Sequence, residues 1–253
     1  MYAEERQGEI ARQARAQGRV DVAELAVSFA VSLETVRRDL TALERAGVLR
    51  RVHGGAIPAE RLRHEPALAV RAAAQTTEKR RIAQAALQEL EGASTVLLDA
   101  GTTTGQLAEL LPVGRDLTVV TNALPIAMTL AARTDLTVHL LGGRVRPRTL
   151  ATVDQVAIDG LANLCVDVAF LGANGVSVQR GFTTADPAEA AVKRAMVSAA
   201  RRAVVLADAT KVGDDQFARF AGIDDVETLV VDNAIDPRLA ADLEAAGPRV
   251  VLA

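Results

Sequence analysis

Thr95-Val96-Leu97-Leu98-Asp99-Ala100-Gly101-Thr102-Thr103-Thr104-Gly105-Gln106-Leu107 is the stretch on which the fold turns. A short apolar run gives way to a polar turn carrying glycine, and the turn opens a helix, which is the strand-turn-helix order of a parallel α/β unit. The pattern recurs downstream. Strands are expected at 95–99, 117–121, 136–141, 166–171, 203–207, 228–231 and 250–252, and helices near 105–111, 125–133, 155–164, 187–201 and 237–246. Upstream, Ile82, Ala86, Leu87 and Leu90 mark a helix that starts at Glu78 and stops at Gly92. The strands are short and almost wholly apolar, as strands buried on both faces are. Residues 78–253 therefore read as an α/β domain with a doubly wound, largely parallel sheet.

In such sheets a ligand lies beyond the carboxyl ends of the strands, so polar residues just after strands are the candidates. Asp99 and the loop Gly101, Thr102, Thr103 and Thr104 offer a carboxylate, three hydroxyls and the amides of a helix N-terminus, a combination suited to a phosphate. The loop lacks a Walker lysine and G-x-G-x-x-G spacing, so neither ATP hydrolysis nor a dinucleotide is supported. Asn122, Gly143 and Asn174 end later strands. Asp186 precedes a helix carrying Glu189 and Lys193, and Lys211 closes the turn Asp208-Ala209-Thr210-Lys211. Carboxylates can hold sugar hydroxyls and lysines a phosphate, so this set is the candidate effector site.

Upstream of this domain, two prolines and mixed charges make 58–77 read as a linker in which Leu62 and Leu68 pack on a neighbour. Residues 1–57 are different again. Ile10, Ala11 and Ala14 place a helix over 4–17, and Val22, Leu25, Ala26 and Phe29 a second one, short and one-faced. After the turn Ala30-Val31-Ser32, Ser32 is placed to cap a third helix with an inward stripe of Val36, Leu40 and Leu43 and an end at Gly47. Two helices joined by so tight a turn match a helix-turn-helix. The third helix turns Glu34, Thr35, Arg37, Arg38 and Thr41 outward, where its first turns would enter a major groove. Two short strands around Gly54-Gly55 then form a wing carrying Arg50, Arg51 and His53. Ser32, Thr35, Arg37, Arg38, Thr41, Arg50, Arg51 and His53 are the candidate contacts to double-stranded DNA, the arginines to phosphate or guanine and the hydroxyls to phosphate or base edges.

Composition narrows the classes. With no Trp, one Tyr and five Phe, the chain lacks the aromatic platform of single-strand binders. Residues 1–75 carry 12 Lys and Arg against 10 Asp and Glu, too even a balance to identify a DNA binder without the motif. The single cysteine, Cys165, excludes an internal disulfide and reads as a small buried hydrophobe. His53, His64 and His139 are scattered, His139 within an apolar strand as a core residue, so neither a catalytic triad, a metal nor a cofactor is expected. Met1–Gln7 is polar, unlike a signal peptide, and the apolar runs fall far short of the ~20 residues that span a bilayer, so a soluble cytoplasmic protein is expected.

Val31-Ser32-Leu33-Glu34-Thr35-Val36-Arg37-Arg38-Asp39-Leu40 with Arg51-Val52-His53-Gly54-Gly55-Ala56 resembles the DeoR family of bacterial repressors. The resemblance continues through Asp99–Thr104, Thr121-Asn122, Gly142-Gly143, the Gly181 to Lys193 region and Asp208–Lys211, nearly the whole chain. It implies a winged helix-turn-helix joined to a sugar-phosphate sensor, acting as a homo-oligomeric repressor of a sugar-catabolic operon. A phosphorylated intermediate would then release the operator. The sensor also resembles ribose-5-phosphate isomerase, which raises the alternative of an isomerase-like enzyme with an appended DNA-binding domain. Against it, Asn174-Gly175-Val176-Ser177 stands where such isomerases carry acidic proton-transfer residues. The opening Met1–Gln7 and the Ala- and Arg-rich composition resemble relatives associated with fructose use, implying fructose 1-phosphate. Galactitol, tagatose, glycerol or deoxyribose phosphates fit the chemistry equally well.

Overall fold

The structure is a computed structural model that describes residues 3–46, 48–52, 54–58 and 67–253. The chain divides into two compact units, Met1–Glu65 and Pro66–Ala253. Among the described residues no helix is long and apolar enough to cross a membrane.

The first unit runs α1 (Ala3–Gln17), β1 (Val20–Asp21), α2 (Val22–Ser28), α3 (Leu33–Arg45), β2 (Leu49–Val52) and β3 (Gly55–Pro58). Its helices start where local chemistry allows. Asp21 Oδ1 accepts the amides of Ala23 and Glu24 at the head of α2, and Ser32 Oγ accepts the amide of Thr35 at the head of α3. Ile10, Ala14, Leu25, Val36, Leu40, Leu43, Leu49 and Ala56 form the core, so the expected inward stripe of α3 is the buried one. The three strands make an antiparallel sheet in the order β1-β3-β2, with Val52 opposite Gly55 across the wing turn. Gly55 is obligatory there, because a Cβ would stand 2.0 Å from the carbonyl oxygen of Val20 on β1. The expected helix end at Gly47 and the wing residue His53 lie outside the described residues.

The second unit opens with α4 (Leu68–Ala73), α5 (Thr76–Ala86) and a 3-10 turn at Leu87–Leu90. There follow β4 (Thr95–Leu98), α6 (Thr102–Leu110), β5 (Leu117–Thr121), α7 (Leu124–Ala131), β6 (Leu136–Leu140), β7 (Arg144–Arg146), β8 (Ala151–Val153) and α8 (Gln155–Leu161). The chain continues with β9 (Val166–Gly172), β10 (Gly175–Ser177), β11 (Gly181–Thr184), α9 (Pro187–Ser198), β12 (Ala200–Ala207), β13 (Ala218–Ala221), β14 (Thr228–Val231), α10 (Pro237–Ala246) and β15 (Arg249–Leu252). Seven strands form one sheet in the order β15-β14-β12-β9-β4-β5-β6, and every pairing in it is parallel. These are the seven expected strands.

The sheet is buried on both faces because successive side chains alternate. Val96, Leu98, Val168, Phe170, Val204 and Leu206 pack under α5, α6 and α7. Leu97, Ala169, Leu171, Val205 and Val231 pack under α8, α9 and α10. The order reverses between β9 and β4: β5 and β6 are added on one side of β4, while β9 and the later strands are added on the other. This reversal opens a crevice at the carboxyl ends of β4 and β9.

Four features depart from the sequence reading. The segment 58–77 is not simply a linker, since β3 reaches Pro58 and α4 and the start of α5 fall within it; residues 59–66, with Leu62 and His64, lie outside the described residues. His139 is exposed rather than core, because β6 is an edge strand with a largely uncovered surface. Cys165 is exposed too, in the turn that follows α8. Finally, several turns are short strands: β7 pairs with β8, and β10, β11 and β13 form a small antiparallel sheet.

Candidate functional site

In the first unit, α3 presents one face outward. Arg37 and Arg38 are exposed, and Thr35 and Thr41 are half-buried. Their free valences differ. Ser32 and Thr35 pair hydroxyl to hydroxyl at 2.9 Å, so both belong first to the cap of α3. Thr41 Oγ1 donates to the carbonyl of Arg37 at 2.8 Å and accepts from Arg51 Nη1 at 3.3 Å, which ties the wing to the helix. Arg37 stands 3.8 Å from Glu34. Among the described residues the Arg38 side chain has neither a hydrogen bond nor an ion pair, so its exposed cation is available to a partner. The Arg50 side chain and His53 lie outside the described residues.

The orientation of α3 is set from behind by a pair the sequence reading missed. Asp39 is buried, accepts from Arg6 Nε at 2.6 Å and from Gln7 at 3.0 Å, and so fastens α3 to α1. The bond to Asp39 raises the Arg6 guanidinium further above its ordinary value. In sequence, Asp39 looks like one more charge on a charged helix.

In the second unit the sheet reversal gathers Asp99, the 101–104 loop and Lys193. Lys193, on α9, reaches across to the carboxylate of Asp99 and donates to the carbonyl of Gly172 at 2.9 Å, with the Phe220 ring 5.2 Å from its ammonium. Gly172 N donates to the same Asp99 oxygen, Oδ2, at 2.9 Å. Asp99 Oδ1 is left buried with no partner, on the side of Gly101. Asn122 repeats the theme one strand over, with its Nδ2 bonded to the Thr152 carbonyl at 3.0 Å and its Oδ1 buried and unpartnered. Two adjacent strands thus end in buried acceptors without donors, an arrangement that costs stability unless something donates to them.

The loop itself is divided in role. Thr104 is fully buried and donates to the carbonyls of Asp99 and Gly101, while Thr103 is buried in the first turn of α6. Gly101 leaves room for that Thr104 hydroxyl, which would lie 2.8 Å from a Cβ. Only Gly101 and Thr102 of the four line a cleft of about 180 Å³. No side chain caps α6, and Gly101 and Thr102 at its head line that cleft. Lys79 on α5 and Ala123 and Pro125 at the head of α7 line the same cleft.

The remaining expected residues lie in other networks. Asp186 Oδ1 caps α9 through the amides of Ala188 and Glu189, and Asp186 Oδ2 lies 3.1 Å from Arg146 Nε. Glu189 accepts from Arg146 at 3.0 Å and from the Thr149 hydroxyl. Both carboxylates therefore anchor Arg146, which the sequence reading did not single out. Asn174 Oδ1 accepts from Thr184 at 2.8 Å. Gly143, at φ +129, lets β7 approach β8, because a Cβ would lie 2.5 Å from the Val153 carbonyl oxygen. Lys211 sits half-buried in the 3-10 turn Ala209–Lys211, near enough to Lys79 for the two charges to repel. Among the described residues no group of carboxylates, histidines and cysteines could hold a metal ion.

A family model described as the DeoR-like helix-turn-helix domain matches residues 6–61, and one described as the DeoR C-terminal sensor domain matches residues 74–233. The chain belongs to the DeoR family. Its relatives are regulators. It is 38% identical over 213 residues to the uncharacterized HTH-type transcriptional regulator FruR of Bacillus subtilis, covering 84% of each chain. It is 36% identical to the HTH-type transcriptional regulator GlpR of Haloferax volcanii (87% of this chain, 86% of that one). It is 31% identical to the glycerol-3-phosphate regulon repressor of Escherichia coli (85% of each). Ribose 5-phosphate isomerase A of Methanocaldococcus jannaschii is a loose structural likeness, with a TM-score of 0.38 and 17% identity over 53% of each chain.

As a DeoR-family member the chain is a transcriptional regulator and not an enzyme. The helix-turn-helix match spans the exposed face of α3, and the sensor match spans Asp99, Lys193, Lys211 and the cleft lining apart from Leu68 and Ala72. Lys79 also falls inside it, a residue the sequence reading did not single out.

Proposed function

We propose that this DeoR-family regulator represses a sugar-catabolic operon, holding operator DNA through α3 and its wing, and lets go when a small phosphorylated sugar enters the cleft beside α6. The observation that carries the reading is the uncapped N-terminus of α6 at a cleft beyond the carboxyl ends of β4 and β5. First-turn amides and the helix dipole favour a phosphate there. A volume of about 180 Å³ lies below the ~300–1,000 Å³ of sites for drug-sized ligands, which suits one monosaccharide phosphate and not a dinucleotide. The buried acceptors Asp99 Oδ1 and Asn122 Oδ1 do not line the cleft but belong to residues next to its wall residues Ala100 and Ala123. A sugar hydroxyl that reached them would supply their missing donors, with Lys193 holding Asp99 in place. The E. coli relative, named for a glycerol-3-phosphate regulon, supports the same ligand class. Operators read by two α3 helices require at least a dimer, and the setting is the cytoplasm, where the DNA is.

Thermal unfolding in the presence of sugar phosphates and their parent sugars tests the reading. Fructose 1-phosphate heads the panel, followed by glycerol, tagatose, galactitol and deoxyribose phosphates. One phosphate ester at 100 times its Kd adds about 2.7 kcal/mol of stability, and its unphosphorylated sugar adds none. Equal stabilisation by the parent sugar, or none by any ester, removes the phosphate site.

A further inference from the structure

Lys79 is buried, yet among the described residues no carboxylate pairs with it. Its ammonium donates to the carbonyl of Arg71 and, at 2.6 Å, to that of Ala74, two of the carbonyls at the end of α4, while the Thr76 hydroxyl donates to those of Ala72 and Ala73 between them at 3.3 Å. Between α4 and α5 the chain turns through Gln75 at φ +53, a left-handed conformation unfavourable for a residue with a side chain. Lys79 therefore fastens a strained joint. The start of α4 is fastened separately, by the Leu68 amide donating to the Arg148 carbonyl at 3.1 Å. An ammonium has three protons, and two are used on α4. Lys79 lines the cleft that Gly101 and Thr102 line, and Leu68 and Ala72 of α4 line it as well. Burial pushes the Lys79 ammonium below its ordinary value, with the charge of Asp208 opposing, as expected of a cation short of countercharge.

We propose that Lys79 is a shared pin: two of its protons hold the end of α4, the third takes the anion bound at the head of α6, and occupancy of the cleft thereby orders α4. This rests on the phosphate reading above and adds to it a route of coupling, since α4 is the first helix after the DNA-reading unit in the chain. Anion and α4 use different protons of one ammonium, so each favours the position the other needs. Binding at the cleft and order in α4 are then linked reciprocally. Leu68 and Ala72 make α4 a wall of the site, so the ligand touches the helix it orders.

Hydrogen–deuterium exchange on the full chain, with inorganic phosphate against chloride at equal ionic strength, tests the proposal. Phosphate is expected to slow the amides of 102–105 and those of 69–74 together, the latter about ten-fold, the scale of one charge-assisted hydrogen bond. Lys79→Met is expected to speed exchange over 69–74 without phosphate and to abolish the phosphate effect there, while Lys79→Arg retains part of it. Strands β9 and β12 report whether a variant is folded, and the wild-type comparison decides alone if Lys79→Met is not. Slowing of 102–105 with no change over 69–74 overturns the pin and leaves the phosphate site standing. No slowing in either stretch overturns the phosphate reading itself.

Discussion

Arg38 and Lys193 show how differently two exposed-looking basic residues can be placed. Both sit in helices amid other charges, and both were singled out from sequence. Arg38 is exposed and without a partner among the described residues, while Lys193 is buried against Asp99. Arg38→Ala is expected to weaken operator binding by about 10- to 100-fold, the range for losing one base or phosphate contact, with sugar-phosphate binding intact. Fluorescence anisotropy on the upstream DNA reads the first quantity and thermal shift the second. Lys193→Met instead leaves a buried carboxylate without its cation, at a cost of roughly 3–5 kcal/mol. At ~2–4 °C per kcal/mol for a domain of this size, calorimetry should show a melting temperature lower by roughly 6–20 °C. Adding Asp99→Asn to that variant should recover much of the loss, because the uncompensated charge is gone; no recovery would mean that Lys193 acts through packing. The residues hardest to read were the ones whose partner is distant in sequence: Asp39 with Arg6 and Glu189 with Arg146. Composition and spacing hold no record of such partners.

The elements divide in the same way. Strands β4, β5, β9, β12 and β14 were legible because burial on both faces requires an unbroken apolar run. Edge strands β6 and β15 were legible as strands but not as edges, so His139 was misplaced. Strands β10 and β11, three and four residues rich in Gly and Thr, gave no signal above that of a turn. Helix α4 has neither a side-chain cap nor a buried residue, and nothing in Leu68–Ala73 distinguishes it from a linker. At the opposite end of the sheet from the cleft, Asp167 at the head of β9 ties β9 to β4. Its carboxylate accepts the amides and hydroxyls of Ser94 and Thr95, at 2.8 to 3.0 Å. These donors hold it well below the usual carboxylate range. In the unfolded chain the group protonates near its ordinary value of about 3.9, and in the folded chain only at lower pH. Its contribution to stability is therefore complete above about pH 4 and is lost as pH falls through the folded value. Urea unfolding from pH 6 downward should show a steeper loss of stability below about pH 4 for the wild type than for Asp167→Asn. Parallel curves would remove Asp167 from the acid response.

At the scale of the molecule, the two units carry chemistries that need not meet. One exposes a cation-bearing helix, and the other has a small cleft at the uncapped head of α6. Ligand and operator can oppose each other without sharing an atom if each prefers a different state of the whole chain. The family places a regulator's two halves in one chain; the cleft's size and its uncapped helix point to what the second half senses. The central claim is thus a coupling between sites, and operator release measures it directly. Full-length protein bound to labelled upstream DNA would be titrated with the phosphate ester that raises its melting temperature, and with the parent sugar. The account predicts a Kd for DNA raised by about 5- to 150-fold with the ester, the usual span of allosteric coupling, and unchanged with the sugar. An ester that binds the cleft yet leaves the DNA Kd unchanged would contradict it.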